Sequence, residues 1–164
     1  LTTTRPLIAT ACAAILSLGL LAAPATAAPA PAVVARVVTP TDLDAAEKTI
    51  LTRTNALRAA SRRAPLVRQA SLDAVALRWA RQLATGGSFR HNPNLTSQIP
   101  AGWRAAGENI AWTTAADATS LYTQWKNSAG HRANMVSASY NRIGLAVVKV
   151  GNRSYGVQVF GGYR

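Results

Sequence analysis

The C-terminal end of the chain reads as a β-hairpin, and that element limits the folds open to everything before it. Ile143–Val150 and Arg153–Phe160 are runs of strand-forming residues, and Gly151-Asn152 between them suits a two-residue turn. Two strands alone do not hold together in water, so their apolar surface needs cover from elsewhere in the chain. Gly144 and Gly156 interrupt the two runs, and each predicts a bulge or the close approach of another backbone.

The cover lies upstream. Leu43, Ala46, Ile50 and Leu57 recur at helical spacing and predict a helix over 42–60, opened by a capping box at Thr41–Asp44. It should end before Ser61–Pro65, because Pro65 disfavours the helical conformation at Ala64. A second helix is predicted over 71–84. Leu72, Val75, Ala76, Trp79 and Leu83 share its apolar face, Asp73, Arg78 and Arg81 point outward, and Gly86-Gly87 stops it. Phe89–Gly102 reads as a loop and Ala105–Trp112 as extended chain. A capping box at Thr114–Asp117 opens a third helix over 115–127 that buries Leu121, Tyr122 and Trp125. Gly130 ends that helical stretch, and a short helical turn carries His131–Met135. Helices first and a hairpin last predict a mixed α+β domain built in layers.

Before the domain, Arg5, the apolar run Leu7–Leu21 and the small-residue pattern Ala25-Thr26-Ala27 read as a secretory signal peptide over residues 1–27. The run is shorter than the roughly 20 residues of a bilayer span, so no transmembrane helix is expected after cleavage. Residues 28–40 form an Ala/Pro-rich linker, and the domain occupies 41–164. The one cysteine, Cys12, lies inside the leader, so the secreted chain is expected to rely on packing without disulfides. The formal net charge is +12, and 15 of the 18 basic residues are arginine. Such a chain attracts acidic polymers, anionic membranes or nucleic acid. The cations are scattered, however, and aromatics do not alternate with them as on a single-strand-binding surface. Nucleic acid is therefore not an expected partner.

Chemistry-bearing residues are scarce and fall in distinctive segments. The chain has two histidines and two glutamates. His91 closes Phe89-Arg90-His91, Glu108 lies in Gly107-Glu108-Asn109-Ile110, and His131 lies in the Trp-x-x-Ser-x-Gly-His-Arg-x-Asn pattern of Trp125–Asn134. With Ile50-Leu51, Asn55, Arg58 and Pro65-Leu66 ahead of them, these motifs resemble, in this order, the bacterial branch of the CAP superfamily. Those are the cysteine-rich secretory, antigen five and pathogenesis-related proteins. The resemblance covers nearly all of 41–164. It implies a three-layer α-β-α sandwich with a central, mostly antiparallel sheet, and a secreted, extracellular protein.

The resemblance also implies a cleft lined by two histidines and two acidic residues. His91 and Glu108 match two of those positions. The second acidic residue would follow Trp125 by three places, where this chain has Ser128, and the second histidine of the eukaryotic members falls at Tyr155, ahead of Gln158. His131 belongs to the bacterial motif and is an addition to that set. The candidate cleft is thus His91, Glu108, Ser128, His131, Tyr155 and Gln158, with His91, Glu108 and His131 as the ligand-binding residues.

Two imidazoles and a carboxylate suit a zinc ion, with His91 and His131 as metal ligands and water completing the shell. The alternative is structural: His131 capping backbone groups, Glu108 accepting buried amide bonds. A Ser128–His131–Glu108 triad is disfavoured, because Ser128 lacks the flanking glycines of a nucleophile turn and more simply caps the next helical turn. Tyr122 and Trp125 are expected in the core. Trp103, in a Pro/Gly-flanked stretch, is expected at the surface, where it would meet carbohydrate or lipid.

Two functions follow. The preferred one is a non-enzymatic extracellular binding module for a small apolar or anionic ligand, a lipid or a cell-envelope component, with no cofactor. The other is a metal-assisted hydrolase of peptide or envelope polymers, with zinc on His91 and His131 and Glu108 as general base. The incomplete set of acid, base and electrophile weighs against the second.

Overall fold

A computed structural model describes residues 40–86, 88–115 and 118–164. The expected leader and most of the linker lie outside these residues, as do Asp117 of the second capping box and the side chains of the first.

Helix α1 (Pro40–Ala60) ends in a hydrogen-bonded cap. Arg62 adopts a left-handed φ of 55°. The Arg63 N–H donates to the Arg58 carbonyl at 2.9 Å and the Arg62 N–H to the Ala59 carbonyl at 3.0 Å. This is the Schellman arrangement, so the helix stops through its own backbone bonds and not through Pro65. Strand β1 (Val67–Arg68) leads into α2 (Ala70–Thr85), which ends at Gly86 with a φ of 123°. The apolar face of α2 is buried as its spacing predicts. Asp73 does not point outward. Its Oδ1 accepts the Leu145 N–H at 2.8 Å and its Oδ2 accepts Arg68 Nε at 2.9 Å. Periodicity marks an apolar face but not the backbone donors that a carboxylate meets at its border.

The loop after α2 contains a short helix, α3 (Leu95–Gln98). Then come β2 (Ala105–Thr113), α4 (Ala118–Asn127), α5 (Ala129–Val136), β3 (Arg142–Val150) and β4 (Arg153–Gly162). Gly130 does not end a helix. Ser128, in extended conformation, separates α4 from α5, and Gly130 lies inside α5.

The sheet order is β1-β3-β4-β2, with β1 parallel to β3 and the other pairs antiparallel. Successive side chains of a strand point to opposite faces. Ile143, Leu145, Val147, Phe160 and Ala111 pack against Ile50, Leu57, Leu121, Trp125 and Met135 from α1, α4 and α5. Ala146, Val157, Val159 and Ile110 pack against Leu72, Val75, Trp79 and Leu83 from α2. The result is the three-layer α-β-α sandwich that the resemblance implied. Gly144 marks where α2 lies closest, since a Cβ there would overlap the Leu72–Asp73 peptide. The β3–β4 register runs unbroken to the Val150–Arg153 pair, so close approach, not a bulge, explains the glycine. Among the described residues no helix is long and apolar enough to cross a membrane.

The polar anchor of the α1 layer is Arg58, only 2% exposed. Its guanidinium donates to the carbonyls of Ala64 (2.7 Å), Met135 (2.9 Å), Ser137 (2.8 Å) and Tyr140 (3.2 Å). Asn55, one turn earlier, exchanges two hydrogen bonds with the Leu66 backbone. Replacing Arg58 by Met should cost roughly 3 kcal/mol or more, because several carbonyls lose their donor at once. The effect is read as a lower urea midpoint at unchanged slope. Arg58→Lys should recover only part of it, since an ammonium does not present the planar fork. An unchanged midpoint in Arg58→Met would mean that the clamp contributes no net stability.

Candidate functional site

The site is built on the outer edge of β2. Among the described residues this strand pairs only with β4, and side chains cover its other edge. Tyr140 Oη donates to the Ala106 carbonyl at 3.1 Å, the Asn134 amide to Glu108 O at 3.3 Å, and the Gln124 amide to Trp112 O at 3.2 Å. Such cover prevents another strand from pairing there.

Alternation along β2 sends Asn109 and Glu108 to opposite faces. Asn109 is fully buried. Its amide donates to Gln158 Oε1 at 2.9 Å and to the His131 carbonyl at 3.0 Å, and its Oδ1 accepts from Asn134 at 2.9 Å. Gln158 in turn donates to the Thr54 hydroxyl at 3.3 Å. This buried ladder ties α5, and with it His131, to β2, β4 and α1. The two asparagines of the sequence motifs are therefore positioning residues.

Glu108 faces the other way, its side chain 3% exposed. Oε1 accepts from His91 Nδ1 at 2.7 Å and from the Asn92 N–H at 3.0 Å. An ionised carboxylate only accepts, so Nδ1 carries the proton and Nε2 is left for other partners. Oε2 is buried and has no hydrogen-bond partner among the described residues. Asn92 fixes the loop further through Gln98 Oε1 and the Asn94 N–H, both at 3.0 Å. The His91 side chain, by contrast, is 63% exposed.

A groove of about 500 Å³ opens along Ile110, Ala111 and Trp112, with Phe89, Gln124, Ser128 and His131 completing its walls. Phe89 and Trp112 are large apolar side chains left 46% and 41% exposed. The Arg153 guanidinium lies over the Trp112 ring, 4.7 Å from its centroid, a cation–π contact. Burial pushes the His131 imidazole below the ordinary histidine range, and the His91 charge adds to this in second place.

The candidate residues are thus divided. Ser128 and His131 line the groove. His91 and Glu108 form a bonded pair. Gln158 is not at a cleft surface, being sealed in the Asn109 ladder. Tyr155 is half-buried against the α2 core, opposite Trp112 in the β2–β4 register. Ser128 holds the N-cap position of α5, but its hydroxyl makes no capping bond. Glu108 orients His91 and not His131, so a Ser128–His131–Glu108 relay is not assembled. Among the described residues no three of His, Cys, Asp and Glu stand close enough to hold one metal ion, so they do not fit a three-ligand centre. Sequence reasoning missed Phe89 and Trp112 as groove walls. It pointed to Trp103, which is exposed but lines no part of this groove. Trp112 alternates in phase with the buried Ile110 and is nonetheless exposed.

The edge strand of this two-sided sandwich is thus bracketed by the His91–Glu108 pair and by His131. Residues 51–160 match the Cysteine-rich secretory protein family, CAP, and the chain belongs to it. No curated protein matches the chain in sequence. Among solved structures, an extracellular protein with an SCP domain from Bacillus anthracis is 23% identical at a TM-score of 0.64, over 76% of this chain and 44% of that one. An outer surface protein of Borrelia burgdorferi is 17% identical at a TM-score of 0.63, over 73% of this chain and 94% of that one. A cysteine-rich secretory protein of Staphylococcus aureus is 19% identical at 0.62, over 76% and 41%. The chain spans under half the length of the first and third of these. At such identities the likeness is one of fold.

The depressed His131 gives a signed expectation for acid stability. The unfolded chain binds this proton at higher pH than the folded one does, so the group favours folding above about pH 6.5 and that contribution is lost as pH falls through the folded value. His131→Gln should flatten the loss of urea midpoint between about pH 7 and about pH 5. Equal acid dependence in both proteins would rule out His131 as its source.

Proposed function

We propose that this domain is a non-enzymatic extracellular binding module, and that the groove beside β2 takes a small, largely apolar ligand such as a lipid or a fragment of cell-envelope material. One observation carries the reading. Glu108 has one oxygen bound to His91 and Asn92 and the other sealed from solvent, whereas the neighbouring groove is walled by Phe89, Ile110, Ala111 and Trp112. A general base needs contact with the proton it removes. An apolar pocket with a few fixed polar groups suits binding. Arg153 over Trp112 and the imidazole of His131 supply polar points at which an anionic headgroup would rest.

The test is a titration of the purified protein with fatty acids and lysophospholipids, followed by Trp fluorescence and native mass spectrometry. Trp112→Ala and Phe89→Ala should each weaken binding about tenfold, as expected for loss of an aromatic wall. Glu108→Gln should leave affinity within a few-fold but lower stability by about 1–3 kcal/mol, because an amide placed at Oε2 buries donors without partners. Turnover of peptide or envelope polymers that vanishes in Glu108→Gln at full stability would establish the metal-assisted hydrolase instead.

Zinc provides a separate check. Calorimetric titration near neutral pH should show no tight one-to-one binding, since two imidazoles alone make an incomplete shell. A stoichiometric site lost in both His91→Ala and His131→Ala would contradict this.

A further inference from the structure

The carboxylates of the described side chains are all engaged within the fold. Glu47 and Asp73 both pair with Arg68. Asp73 also holds the Leu145 N–H, and Glu108 holds His91 and Asn92. Cations, by contrast, stand exposed on both helical layers. Arg53 of α1, Lys126 of α4 and Arg132 of α5 lie on one side of the sheet, and Arg78 and Arg81 of α2 on the other. Of the formal charge of +12, Arg5 and Arg36 lie ahead of the described residues, so 40–164 carry +10 wherever Asp42, Asp44 and Asp117 point.

This distribution discriminates between anionic partners. A bilayer meets one face of a domain and leaves the cations of the opposite layer unused. A flexible chain passes round both. The cations are mostly arginine, whose planar fork matches phosphate oxygens in pairs. A polymer with closely spaced phosphates also releases condensed counterions when cations displace them, which favours diffuse contacts. We propose that the domain binds a linear phosphate-bearing polymer of the cell envelope through delocalised ionic contacts on both helical layers. The proposal does not depend on what the groove holds.

The test is fluorescence anisotropy with end-labelled inorganic polyphosphate of defined length, titrated with the purified protein over a series of NaCl concentrations. The logarithm of the binding constant should fall linearly with that of salt. Arg78→Gln with Arg81→Gln on one layer, and Lys126→Gln with Arg132→Gln on the other, should each weaken binding by about three- to tenfold and reduce the slope by about 1 to 1.5. Unchanged urea midpoints would show that both variants stay folded. Three results would overturn the proposal. One is no binding at low salt. Another is complete loss with one pair and none with the other, which would mean a single patch. The third is tighter binding, at equal phosphate, to phosphatidylglycerol–phosphatidylcholine vesicles or to single-stranded DNA. A loss of fatty-acid binding in Trp112→Ala with polyphosphate binding intact would show the two surfaces to be independent.

Discussion

The Arg58 guanidinium is the interaction on which the rest of this structure depends. It is a buried charge that meets backbone carbonyls in place of water. Desolvation of that kind is costly unless hydrogen bonds replace the water. Here carbonyls from three segments do so, one of them at the C-terminal end of α5, where the helix dipole is negative. Burial, and secondarily Arg63, lower the Arg58 pKa from its ordinary value, yet arginine retains its proton. One side chain thereby sets the exit of α1, the end of α5 and the turn into β3. The position of His131 follows from the second of these.

The groove is a consequence of how an edge strand is managed. β2 would otherwise offer a row of unpaired backbone groups, and Tyr140, Asn134 and Gln124 cover them with side chains from α4, α5 and the segment that follows. The helices are held off the strand at the distance these side chains span. Along Ile110–Trp112 the remaining space is walled by aromatic and apolar groups. The Asn109 ladder and the Glu108–His91 pair lie on opposite faces of the same strand and brace it from both sides. The polar groups that the sequence motifs contribute therefore brace the strand, while Phe89, Ile110, Ser128 and His131 of the same motifs wall the groove.

Much of the fold is legible in the sequence. Apolar spacing places α2 and its buried face, the Gly151-Asn152 dipeptide places the hairpin, and Gly144 announces that another backbone comes close. Two departures share one cause. Asp73 on a nominally outward face and Gln158 sealed in the core both depend on partners far along the chain. The partner of Asp73 is Leu145, and those of Gln158 are Asn109 and Thr54. Spacing among near neighbours carries no record of such pairings. The His91–Glu108 contact was suggested only by resemblance, since no local pattern links the two positions.

By itself the sequence determined the order and type of the longer elements, the layered class of the fold, the family and the excess of positive charge. These rest on interactions within a few residues, or on composition, and need no knowledge of what lies across the core. Only the tertiary structure decided which motif residues brace the backbone and which line the groove, and that the cations occupy both helical layers. Those outcomes depend on which side chains the sandwich brings together from distant parts of the chain. A buried polar group is satisfied by whatever donor or acceptor the packing places within about 3 Å of it.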